Sequence, residues 1–174
     1  GKTGMGKSTL AASFALNEAK FLTDDSLIIE ESEGVYLALP SYASLRLWED
    51  GVAALVDERI ARASAISYTS KVRLLAGDAL AHEAKPEPLL AAFLLEQHCV
   101  ESLTIRRLHG AERHMAWVNN SFLLDIEDRG LLSQHFDWTH RIAEAVPTFA
   151  LDYPRDYGKL AEVRDAVQKF VAYL

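Results

Sequence analysis

The chain has 174 residues, 49% of them hydrophobic and 25% charged, which supplies one good core but leaves two independent domains cramped. Its formal charge of −7 at pH 7, with Lys and Arg scattered along the chain, argues against a surface built for nucleic acid. The single cysteine, Cys99, excludes an intramolecular disulfide. No long apolar segment or signal-peptide pattern is present, so a soluble, cytoplasmic protein with no membrane partner is expected.

The first residues, GKTGMGKSTL, place Gly1, Gly6, Lys7 and Ser8 at the G-x-x-x-x-G-K-[ST] spacing, the loop whose backbone N–H groups cradle nucleotide phosphates. The predicted nucleotide site is Gly1, Lys2, Thr3, Gly4, Met5, Gly6, Lys7, Ser8 and Thr9. Lys7 is expected on the terminal phosphates, and the Ser8 hydroxyl on Mg²⁺. KSTLAASFALNEA then reads as a helix whose N-terminus points at the phosphates. Such a loop ordinarily follows a strand, so the first strand is expected upstream of Gly1 and the chain reads as an N-terminally truncated single domain over 1–174.

KFLT and SLIIEE are predicted as strand segments on either side of Asp24 and Asp25, with ESEG turning into VYLALP as a hairpin. Adjacent carboxylates in an apolar strand carry a desolvation cost that a cation or a proton-transfer task would offset. Because successive strand residues face opposite ways, one is free to meet a metal and the other an acceptor hydroxyl. The alternative is that the pair simply ends a strand and opens a turn. Beyond Pro40, the region around Arg46 and Trp48 reads as irregular, with a helix from about Val52. Arg46 suits either a phosphate or substrate contact or a structural ion pair over Trp48.

SYTSKVRLLA and PLLAAFLLEQ read as strands around a loop, GDALAHEAKPEP. Lys71 and Arg73 fall on one strand face, as phosphate or substrate contacts or as solvated charges. ESLTIRRL reads as a strand, Gly110 to Asn120 as a helix, Phe122 to Ala145 as one or two helices and PTFALDYP as a short strand. GKLAEVRDAVQKFVAYL closes the chain as an amphipathic helix. His109 with His114, and His135 with His140, miss the i, i+4 spacing of a metal pair. Cys99 is expected as a small buried apolar residue, and Trp117, Phe136 and Trp138 as core.

The loop GKTGMGKST, FLTDDSLIIE and the later LPSYASLRLWEDG together resemble the catalytic domain of HPr kinase/phosphorylase, and more closely its shorter HPr-kinase-like relatives. PLLAAFLLEQ and VPTFALDYPRDYGKLAEV extend the likeness over most of the chain. The resemblance implies an α/β P-loop kinase core of the HPr kinase and phosphoenolpyruvate carboxykinase type, a mixed sheet with flanking helices. It implies ATP and Mg²⁺ as cofactors and phosphoryl transfer to a serine hydroxyl of a small protein or peptide. Asp24 would orient or deprotonate that serine, and Asp25 would join Ser8 at the metal. The upstream histidine and the C-terminal signature of the bifunctional enzymes are not found here, so phosphorylase activity is not implied. A small-molecule P-loop kinase and a non-catalytic nucleotide-binding regulator are the alternative readings.

Overall fold

The computed structural model describes residues 4–63, 70–96, 100–123 and 125–174. The elements run α1 (Lys7–Ala15), β1 (Ile28–Ser32), β2 (Val35–Leu39), β3 (Ser44–Leu47), α2 (Glu49–Leu55), β4 (Arg62–Ala63), β5 (Val72–Leu75) and β6 (Glu87–Pro88). Then come β7 (Ala92–Leu95), β8 (Thr104–Arg107), α3 (Gly110–Asn120), α4 (Arg129–Ala145), β9 (Thr148–Asp152), a 3₁₀ turn at Tyr157–Lys159 and α5 (Leu160–Val171). The result is a mixed α/β protein with its strands in three separate three-stranded sheets, ordered β1-β2-β6, β3-β5-β4 and β7-β9-β8. The chain divides into two compact units, one of Gly6–Pro88 with Arg155–Leu174, the other of Gly1–Met5 with Leu89–Pro154.

In the first unit, β1 and β2 form a hairpin whose two-residue turn, Glu33 and Gly34, has φ of 51° and 81°. Both positive values match the turn whose twist suits an antiparallel pair, and glycine takes the second position without strain. β3 and β5 pair antiparallel and bury Leu45, Leu47 and Leu74 against Ala12, Ala15, Phe21, Val52, Ile60 and Leu80. This is the unit's core. α1 joins it through small residues, which let the helix sit close to its neighbours. The buried Ser13 hydroxyl accepts a 2.6 Å hydrogen bond from Arg164 Nη1, which ties α1 to α5. α5 in turn buries Leu160, Val163 and Val167, the helical spacing read from its sequence.

The second unit is built on β9, whose five residues are all buried. It runs parallel to β7 and antiparallel to β8, which explains its continuous apolar run with a carboxylate only at the end. Trp117 Nε1 of α3 donates to Thr148 Oγ1 at 3.0 Å. α4 begins where Asp128 Oδ1 accepts from the backbone N–H of Gly130 and Leu131 at 2.7 and 3.1 Å, so a carboxylate satisfies its first free donors.

Several expectations are corrected. KFLT contributes only an isolated bridge between Phe21 and His82. Asp24 and Asp25 lie in a bend, not a strand. There the Thr23 hydroxyl takes the Asp25 N–H at 3.4 Å and Ser41 Oγ donates to it at 2.9 Å, local bonds that compete with a ladder. Arg46 is not in an irregular segment but in β3, because Leu45 and Leu47 alternate with it into the core. α2 starts at Glu49 rather than Val52, with two acidic residues in its first turn. GDALAHEAKPEP is not wholly a loop, since its Glu87 and Pro88 pair with β2. Phe136 is half exposed rather than core. Cys99 lies outside the described residues.

Candidate functional site

Gly1, Lys2 and Thr3 lie outside the described residues, and Gly4 and Met5 belong to the second unit. Gly4 has φ 83° and Gly6 φ 82°, values that an L side chain adopts only with strain, so these two glycines occupy positions that require them. Gly6 delivers the chain directly into α1. That helix begins at Lys7 with no capping side chain and no acidic residue in its first turn. Ser8 and Thr9 are half-buried in this turn, and Lys7 is exposed. A helix start of this kind presents unsatisfied N–H groups and a positive dipole end to an anion.

The aspartate pair meets Arg46. Asp24 Oδ2 accepts the backbone N–H of Arg46 at 2.8 Å and its Nε–H at 3.2 Å. Arg46 Nη2 reaches Asp25 Oδ2 at 2.8 Å. The two carboxylates live in different surroundings: the Asp24 side chain is 5% exposed and that of Asp25 71%. Asp25 first, and then Asp24, holds the Arg46 guanidinium pKa above its ordinary value, against the opposing effect of burial.

β3 is an edge strand of its sheet, and Asp24 supplies the acceptor that a further strand would otherwise provide to Arg46 N–H. With its N–H turned outward, Arg46 stands opposite Arg73 as a non-hydrogen-bonded pair, the closer kind of cross-strand neighbour. Like charges so placed repel, and the aspartates offset that repulsion. Lys71, just before β5, holds its Nζ 5.3 Å from the centroid of the Trp48 ring, a cation–π distance. Of the two readings of Arg46, the structural ion pair is present, but with Asp24 and Asp25; the cation shown over Trp48 is Lys71. The clamp of Arg46 on both aspartates had no local signal, since 22 residues separate Arg46 from Asp24.

Two of the histidines help fasten α3 to α4. His114 Nε2 lies 3.2 Å from Thr139 Oγ1, and His135 Nε2 2.9 Å from Ser121 Oγ. Among the described residues no group of three or more His, Cys, Asp or Glu side chains is placed to hold a metal. Ser8 and Asp25 are hard oxygen donors, and Asp25 is open to solvent. In donor type each suits Mg²⁺, which is bound through one or two carboxylates together with substrate phosphates and water rather than by an all-protein cage.

Fold and site together define a mixed α/β protein of small sheets, with a glycine-loop helix start and an arginine-clamped aspartate pair in one unit. No family model, curated protein or solved structure matches the chain. No helix among the described residues is long and apolar enough to cross a membrane.

Proposed function

We propose that this protein is a cytoplasmic P-loop serine kinase that uses Mg-ATP to phosphorylate a serine of a small protein or peptide. The observation that carries the reading is the glycine motif running through a left-handed Gly6 into the uncapped first turn of α1. First-turn N–H groups of α1 would bind the phosphates, and Lys7 would neutralise their terminal charge. Ser8 and Asp25 would hold Mg²⁺, which when bound offsets charge on the transferred phosphoryl group.

Asp24 Oδ2 is taken by Arg46, which leaves Oδ1 to orient the acceptor hydroxyl and receive its proton. Arg46, Arg73 and Lys71 form a basic margin beside the pair, suited to a phosphate or to an acidic stretch of the acceptor. The test is calorimetric titration of the protein with ATP and Mg²⁺, alongside Lys7→Ala. Micromolar binding that the substitution abolishes is expected. Absence of binding by the unsubstituted protein refutes the reading. Tight binding with no transfer from labelled ATP to any serine peptide reduces it to a nucleotide-binding module.

A further inference from the structure

Arg46 grips its two aspartates unequally. Asp24 receives two donors, one of them a backbone N–H fixed by β3, and is almost enclosed. Asp25 receives Nη2 and projects into solvent. An exposed ion pair of this kind is weak and readily exchanged, whereas the buried, doubly bonded partner stays.

The carboxylate best placed to meet a cation is therefore the one already neutralised by the protein's own guanidinium. We propose that Arg46 is a positioning residue that exchanges partners. Without a divalent cation it holds both aspartates; with Mg-nucleotide present it cedes Asp25 and keeps Asp24, so guanidinium and cation compete for the same carboxylate. This rests on the assignment of Asp25 to the cation in the proposed function. Once ceded, Nη2 is left facing Arg73 across the strand pair with less negative charge beside it, which favours its capture of an anion such as a phosphate oxygen.

Free Mg²⁺ is titrated at a fixed, sub-saturating concentration of a fluorescent ATP analogue for the unsubstituted chain, Arg46→Met, Asp25→Asn and the double variant. Mn²⁺ binding without nucleotide, read by electron paramagnetic resonance, accompanies it. Arg46→Met keeps the backbone N–H bond to Asp24 and removes the competitor, so half-maximal binding should need about two- to five-fold less cation, the range of an exposed ion pair. Asp25→Asn should raise the requirement and make the Arg46 change silent.

Should Arg46→Met not fold, Arg46→Lys keeps a positive charge near Asp24 but lacks Nη2, and the same lowered requirement is expected. An unchanged or higher requirement in a folded Arg46 variant overturns the proposal alone. So does an equal effect of the Arg46 change in the Asp25→Asn background. ATP binding by the unsubstituted chain that ignores divalent cations overturns the proposal and the cation assignment beneath it.

Discussion

Replacing Asp24 with alanine should cost far more stability than replacing its neighbour Asp25. The Asp24 side chain is 5% exposed, and its Oδ2 closes the edge of β3 by accepting both the main-chain N–H and Nε–H of Arg46. Hydrogen bonds to a charged group contribute about 1.5–3 kcal/mol. Loss of the charge also leaves Arg46 facing Arg73 across the strand pair. The Arg46 side chain remains 27% exposed, so water recovers part of the loss, and a net cost of roughly 2–3 kcal/mol follows. For a chain of this size that is a fall in melting temperature of about 4–12 °C. Asp25→Ala, which removes an exposed partner, should stay within about 1 kcal/mol. Urea unfolding followed by circular dichroism measures both. Hydrogen exchange adds a local readout, because the Arg46 amide should lose protection in the Asp24 variant and keep it in the Asp25 variant. Equal destabilisation by the two substitutions, or an unchanged Arg46 amide, refutes the assignment of Asp24 as the edge acceptor.

Two further outcomes are expected. Glu18, past the end of α1, is an exposed non-glycine residue with φ 70° beside a backbone bond from Ala19 N–H to Phe14 O, so Glu18→Gly should raise stability by about 0.5–1 kcal/mol in urea unfolding, and a loss would show that its side chain compensates. The Glu144 pKa is held below its ordinary value chiefly by its hydrogen bond from Arg113. A depressed carboxylate stabilises the fold above its unfolded pKa and loses that contribution as pH falls through the folded one. Arg113→Met should therefore flatten the acid side of a stability-against-pH curve, since it removes the ion pair at neutral pH and little further at low pH, where Glu144 is protonated in any case. An acid limb of unchanged slope would count against the pair.

Elements carried by local signals were legible in the sequence. The helix from Gly110 to Asn120, the ESEG hairpin, the PTFALDYP strand and the amphipathic α5 each depend on turn chemistry or on periodicity within a dozen residues. What depended on distant partners was not. Whether Glu87 and Pro88 pair with Leu37 and Ala38 is decided by a segment some fifty positions away, and one sheet could not be told from three. The strand around Arg46 carried its own signal in the Leu45 and Leu47 alternation, obscured by the nearby Trp48, Glu49 and Asp50. At the site, the glycine spacing was plain, and Gly4 and Gly6 each answer to their own backbone angle. The aspartates misled, because Thr23 and Ser41 bend the chain beneath them and their partner arrives from another strand.

The bond between Arg164 and Ser13 joins positions 151 residues apart, and this bears on the order in which a ribosome delivers the parts. At ordinary elongation rates α1 leaves the exit tunnel roughly 8–30 s before the helix that packs beside it. During that interval the Ser13 hydroxyl has no Arg164 to bond. The contiguous stretch Leu89–Pro154 emerges whole in the meantime and needs no later segment to complete its three-stranded sheet. The helix that follows the glycine loop is thus made well before one of its partners, so a nascent chain stalled before Arg164 would carry α1 against β3 and β5 but without its tie to α5.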